Sequence, residues 1–189
     1  MSYQQRFSGL ARLYSQQGLS RLKEAHVCIV GIGGVGSWIA EALARSGVNE
    51  LTLIDLDDVS ITNVNRQIHA LDSTLNESKI EVMAARIVDI NPQCLTHQIE
   101  DFITPDNVQQ YITNDFDVVI DAADSVKAKA AIIAHCKRRK QKVICIGGAG
   151  GQTDPLQITK GDLAKTIQDP LLAKVRSHLR RFNNFSQNP

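Results

Sequence analysis

His26-Val27-Cys28-Ile29-Val30-Gly31-Ile32-Gly33-Gly34-Val35-Gly36 is a short apolar run that breaks into glycines. The run is continuous rather than alternating, which fits a parallel strand covered on both faces. The glycines that follow permit a tight turn and a close approach of main chain to phosphate. A helical pattern then runs over residues 34–46 and stops at Gly47. Its amino end offers free N–H groups and the positive end of the helix dipole to an anion. A second apolar run, residues 51–55, ends in Asp55. That is about the interval at which an acid closes the second strand of a nucleotide-binding unit and takes the ribose hydroxyls. Strand, loop, helix, strand and acid therefore come in the order that predicts a nucleotide site. The alternative is a purely structural glycine turn. The order does not identify the nucleotide, because an NAD-dependent oxidoreductase would share it.

Further along, residues 116–122 and 142–147 are again short and β-branched, and residues 96–100 form a weaker strand. Helical patterns occupy 77–90, stopped by Asn91-Pro92, and 125–139. Thr104-Pro105 and Asp169-Pro170 each place a capping residue before a proline, predicting two more helix starts. Alternation of this kind predicts right-handed βαβ units: an α/β fold, Rossmann-like and doubly wound, with a mainly parallel sheet flanked by helices. We divide the chain into an N-terminal helical segment, 1–25, and a nucleotide-binding domain, 26–189. The polar stretch 182–189 is expected to fray.

Composition excludes more than it assigns. A chain of 189 residues with 43% hydrophobic content supports one sizeable core. A net charge of +1 creates no global field toward nucleic acid or anionic lipid, so a basic partner surface must be local. Cys28, Cys94, Cys136 and Cys145 form no CxxC pair, and read as buried thiols rather than as a disulfide framework or a zinc ribbon. Neither a signal segment nor a run of roughly 20 apolar residues is present, so no membrane segment is expected and a reducing cytoplasm fits.

After Asp55 the chain becomes unusually polar. Asp57 and Asp58 are followed by Asn63, Arg66 and Gln67, then by Lys79. A cation pair suits phosphate chemistry: Arg66 carries a fixed fork of donors, Lys79 is a compact point charge, and Asn63 adds neutral hydrogen bonds. The structural alternatives are a turn acid at Asp57 and an Arg66–Asp58 pair. A second acidic site, Asp121-Ala122-Ala123-Asp124-Ser125, ends the 116–122 run at the carboxyl edge of the sheet. Here Asp124 could instead cap the helix that begins at Ser125.

The Asp-x-Asp, the Asn-x-x-Arg-Gln cluster and the lysine about a dozen residues later resemble the HesA/MoeB/ThiF superfamily. This group contains the ubiquitin-activating enzymes and the molybdopterin-synthase and thiazole-biosynthesis adenylyltransferases. The resemblance implies ATP bound by Gly31, Gly33, Gly34, Gly36, Asp55, Asp57, Asn63, Arg66, Gln67, Lys79, Asp124 and Ser125. It further implies catalysis by Arg66, Lys79 and Asp124, with magnesium on Asp124.

Three other stretches, residues 6–14, 147–155 and 162–171, are similar to the tRNA threonylcarbamoyladenosine dehydratases. That family activates the carboxylate of threonylcarbamoyladenosine at position 37 of tRNA with ATP, and ring closure then expels AMP. By the same resemblance Arg12, with Arg6 as competitor, is lent to the triphosphate across a homodimer, although the family's Arg-x-x-Arg spacing is not reproduced. A sulfur-relay protein is a further implied partner. Superfamily members continue for several strands past the point where this sequence stops, so a truncated domain is expected. Two basic groups could meet tRNA phosphates: 137–142, and Lys165, Lys174, Arg176, Arg180 and Arg181. Their alternative is a solvated helix face. Two competing functions remain open: adenylation of the C-terminus of a ubiquitin-like sulfur carrier, and an NAD-dependent oxidoreductase or nucleotide sensor.

Overall fold

The computed structural model describes residues 2–186. Strands β1 (His26–Val30), β2 (Glu50–Ile54), β3 (Leu95–Ile99), β4 (Val118–Asp121) and β5 (Val143–Cys145) form one parallel sheet in the order β3-β2-β1-β4-β5. Helices α1 (Tyr3–Glu24), α2 (Gly36–Arg45), α3 (Lys79–Ile90), α4 (Val108–Tyr111), α5 (Val126–Arg139) and α6 (Pro170–Phe182) surround it.

The central strand shows why the apolar runs are continuous. Val27 and Ile29 face Ala40, Ala44, Ile80, Met83 and Ile87 of α2 and α3. Cys28 and Val30 face Ile112, Ala128, Ile132 and Cys136 on the other side. Positions 27–30 of β1 are thus all asked to be apolar, and alternation disappears. Helix α6 forms an outer layer, packing Val175 and Leu179 on Ala130, Ile133 and Ala134 of α5. Among the described residues no helix is long and apolar enough to cross a membrane. The four cysteines are free thiols, with Cys145 half-buried and the others buried.

Two helix starts differ from the sequence expectation. The helix expected at Thr104-Pro105 is the single turn α4, and Pro105 precedes it rather than opening it. Thr104 and Asn107 exchange side-chain hydrogen bonds, Thr104 N to Asn107 Oδ1 at 2.7 Å and Asn107 N to Thr104 Oγ1 at 3.3 Å, which close residues 104–107 into a turn first. Helix α3 begins at Lys79 rather than residue 77. Asn76 donates to Val59 O, Val59 to Glu77 O and Lys79 to Asp57 O, so this strip of main chain is bound to residues 57–59 before it can coil. The start at Asp169-Pro170 is found as expected, with Asp169 Oδ1 accepting from Leu172 N at 2.8 Å. Past α6, in the stretch expected to fray, the chain leaves the helix at residue 183 and is tied back at Phe185. Phe185 N donates to Leu179 O, and the Lys137 ammonium lies over the Phe185 ring at 4.8 Å. The remainder of that stretch, 187–189, lies outside the described residues.

Helix α1 breaks at Ser15, which adopts φ 68°, and its first half docks through Tyr3 and Phe7. The buried Tyr3 hydroxyl donates to Gly47 O at 2.6 Å, where α2 ends. Tyr3→Phe should cost about 1 kcal/mol, the net worth of one such bond, and lower Tm by a few degrees in a scan. An unchanged Tm would show that this bond does not anchor α1.

Candidate active site

Strand order places β1 between β2 and β4, the point where the chain switches direction across the sheet, and ligands of such folds collect outside the carboxyl ends there. The glycine loop occupies that point. Gly31 adopts φ +87°, a conformation that favours glycine, and its main chain packs against Ala122 and Ala123 at the exit of β4. A Cβ added at Gly36 would lie 1.8 Å from Gly31 O. Helix α2 starts from Val35 without a side-chain cap. Among the described residues, the main-chain N–H groups of Gly33, Gly34, Val35 and Gly36 donate to no protein acceptor. This uncapped start is a ready anion site.

Asp55 is buried, and both its oxygens are engaged: Oδ2 accepts from Ile32 N at 2.6 Å, Oδ1 from Asp57 N at 2.9 Å. It ties the loop to the segment after β2. Asp57 in turn receives Lys79 Nζ on Oδ2 at 2.7 Å, with Lys79 7% and Asp57 54% exposed. Asp57 is therefore more than a turn acid, and Ile32, Asp55, Asp57 and Lys79 form one connected line.

Arg66 does not pair with Asp58. Its aliphatic stem crosses Gly34, where an added Cβ would meet Arg66 Cγ and Cδ at 3.3 Å. Its Nη1 donates to Thr62 O at 2.9 Å and Asn65 Oδ1 at 3.0 Å. Trp38 Nε1 donates to Arg66 O at 2.9 Å, fixing this segment to α2. Asn63 is buried, and its Oδ1 accepts from Ser60 N. Gln67 is buried with Oε1 unpartnered.

The β4 exit separates its two acids. Asp121 is fully buried, while Asp124 is exposed and pairs with nothing among the described residues. The capping alternative for Asp124 fails, because Ser125 Oγ accepts from Ala128 N and caps α5 itself. Arg6 donates to Ile90 O at 3.1 Å, where α3 ends. Arg12 is exposed on α1 and makes no bond among the described residues. Of the basic groups, Arg139 is held by Asn114 Oδ1 at 2.7 Å and Arg176 by Thr166, whereas Lys137 and Arg138 are exposed at the carboxyl end of α5.

Two residues beside the site escape sequence reasoning. Lys129, fully buried, places Nζ 3.2 Å from Asp121 Oδ1 and 3.1 Å from Asp121 O, with Cys145 Sγ at 3.7 Å. Burial raises the Asp121 pKa against the opposing pull of Lys129, and lifts the Cys145 thiol to about 12. The available signal was a lysine on the apolar stripe Lys129, Ile132, Ile133, Cys136 of α5, spaced for one helix face. His69 is buried with both ring nitrogens unpartnered. Burial, then Lys79 and Arg86, lowers its pKa to about 4, so the ring is neutral at physiological pH. No local pattern marks a histidine of this kind.

Comparison with known proteins matches these features to one family. Residues 5–175 match the ThiF family model. A tRNA threonylcarbamoyladenosine dehydratase of Haemophilus influenzae is 60% identical over 188 residues, covering 100% of this chain and 72% of its own length. The crystal structure of the E. coli tRNA N6-threonylcarbamoyladenosine dehydratase in complex with ATP superposes with a TM-score of 0.94 at 57% identity, covering 96% of this chain and 74% of that one. The same enzyme in complex with AMP gives a TM-score of 0.93 at 57% identity, covering 95% and 73%. The glycine loop, the 57–79 segment and the β4 exit thus belong to a chain of the ThiF family, among its tRNA threonylcarbamoyladenosine dehydratases.

Proposed function

We propose that this chain binds ATP on the glycine loop and uses it to adenylate the carboxylate of threonylcarbamoyladenosine in tRNA, after which the ring closes and a water is lost overall. A carboxylate oxygen attacks the α-phosphorus and pyrophosphate leaves. An internal nucleophile of the modified base then attacks the activated carbonyl carbon, and AMP leaves. The observation that carries this reading is the Arg66 side chain lying across Gly34 beside main-chain N–H groups that have no acceptor among the described residues. Negative charge grows on the phosphoryl oxygens as pyrophosphate departs, and fixed donors there stabilise it without reorganising. The relatives' ATP and AMP complexes support ATP as the nucleotide in place of NAD.

Lys79 reaches the phosphates by leaving Asp57, whose carboxylate is half-exposed and can be resolvated. Asp124, exposed and unpaired at the carboxyl edge, is the acid we assign to magnesium; a hard divalent ion between a carboxylate and a triphosphate cancels their repulsion. Arg12 is assigned to the triphosphate of a second copy. Leu13 and Tyr14, 69% and 54% exposed beside it, supply apolar surface that a homodimer would cover. Lys137 and Arg138 are candidates for the tRNA backbone.

Mass spectrometry of nucleosides tests the reading. Incubation with ATP, magnesium and tRNA bearing threonylcarbamoyladenosine should yield a nucleoside lighter by one water, plus AMP and pyrophosphate. Arg66→Ala should slow this roughly tenfold to a hundredfold, the worth of one charge-assisted contact, with an unchanged circular dichroism spectrum. No cyclic product, with pyrophosphate exchange only on adding a ubiquitin-like protein, would sink it.

A further inference from the structure

We propose that His26, Glu50 and His97 form a binding site for one divalent transition-metal ion, with zinc the ion it fits best. The site lies at the opposite end of β1 and β2 from the glycine loop. His26 and Glu50 are the first residues of their strands and are paired in register. His97 is paired in register with Thr52, two residues beyond Glu50. With a side-chain period of two, Glu50 and Thr52 share a face, and the parallel register brings His26 and His97 onto that same face from either side.

One ligand atom of each of the three residues lies within 4.8 Å of the others. Glu50 Oε1 is 2.9 Å from His97 Nε2 and 3.5 Å from His26 Nδ1. Zinc bonds of about 2.0–2.1 Å at tetrahedral angles separate ligand atoms by roughly 3.3 Å. Two of the three separations are therefore near that value already. The third closes by a small swing of His97 and Glu50, which are 44% and 37% exposed and free to adjust.

The fixed member is His26. Its Nε2 contacts the buried Thr52 Oγ1 at 2.8 Å, and the edge of its ring meets Phe116 at 4.8 Å between centroids. A ligating imidazole is characteristically oriented by a hydrogen bond at its other nitrogen, and here that bond turns Nδ1 toward Glu50. Asp117, which accepts from His26 N at 2.9 Å, and nearby Asp115 add negative charge around the two imidazoles. Two imidazoles and a carboxylate suit zinc-like ions; magnesium and calcium require oxygen ligands. A bound ion would link β1, β2 and β3, and would leave one position to water.

Chelator-treated protein titrated with zinc chloride in a calorimeter should bind one ion per chain. His97→Ala and Glu50→Gln should each weaken binding at least tenfold, and Thr52→Val about tenfold, the usual effect of losing an orienting partner. His178→Ala, on α6, should leave it unchanged. Saturating zinc should raise Tm by about 5 °C by linkage, and not in His97→Ala. Magnesium chloride should not compete with zinc for this site. Zinc binding that survives both His97→Ala and Glu50→Gln, or no binding by the native chain, would overturn the assignment. ATP is absent from every arm, so the outcome is independent of the adenylation reading.

Discussion

Gly36→Ala is expected to weaken ATP binding at least a hundredfold and to destabilise the fold by about 3 kcal/mol or more, as overpacking against immobile atoms does. The added Cβ would lie 1.8 Å from Gly31 O and 2.9 Å from its carbonyl carbon. Both are main-chain atoms, so no rotamer can relieve the clash. Nor can Gly31 retreat: φ +87° and the Ala122–Ala123 main chain, 3.0 Å from where its own Cβ would be, hold it in place. The loop must open, and the unpartnered N–H groups of residues 33–36 are then displaced. Gly34→Ala is the matched control. Its Cβ would meet only the flexible Arg66 stem at 3.3 Å, so the fold should survive with a modest loss of affinity. Calorimetric ATP titration and thermal unfolding of both variants measure the contrast. Wild-type affinity in Gly36→Ala would rule out the proposed phosphate loop.

The same loop shows what is legible in a sequence. Glycines placed between an apolar run and a helical pattern announce a turn, because glycine alone tolerates both φ +87° at Gly31 and the contact at Gly36. The buried strands are equally legible, since two-sided burial leaves no polar position in Cys28, Ile29 or Val30. Helix starts set by distant partners are not. Asn76 and Lys79 are bound to residues 57–59 by main-chain hydrogen bonds that leave no side-chain signature. Thr104 reads as a cap for Pro105 until Asn107 competes for it. Within the site, Arg66, Lys79 and Asp124 stand out by residue type and spacing, but their partners do not. Lys79 waits on Asp57, Arg66 on Thr62 and Asn65, and Asp124 on nothing among the described residues. Asp55 illustrates the gap: an acid at the end of β2 reads as a ribose ligand, but nothing in the sequence announces the two backbone amides it also holds.

Lys129→Met should destabilise the protein by about 3–5 kcal/mol at pH 8, because it leaves a buried carboxylate without its partner. Asp121 and Lys129 are both 0% exposed, and Asp121 Oδ2 already lacks a hydrogen bond. The loss should depend on pH, and the sign follows from the direction of the shift. Burial raises the folded-state pKa of Asp121 above its ordinary 3.8, and Lys129 opposes that rise. Removing Lys129 removes the opposition and moves the pKa higher still. Between the unfolded and folded values the folded chain holds a proton that the unfolded chain has released, so stability falls as pH increases. The variant should therefore lie close to the wild type near pH 4. It should then lose up to about 1.4 kcal/mol per pH unit through the window above it. Asp121→Asn added to Lys129→Met should recover more than half of the deficit and flatten its pH dependence, since a neutral amide replaces the stranded charge and can still accept from Ala123 N. Urea midpoints of the single and double variants at pH 5 and pH 8 decide the matter. A pH-independent deficit would mean that Lys129 acts by filling space rather than by neutralising Asp121. Asp121 leads directly into the Ala122–Ala123 main chain that backs Gly31, so the charge balanced under the β4 exit lies directly behind the glycine loop.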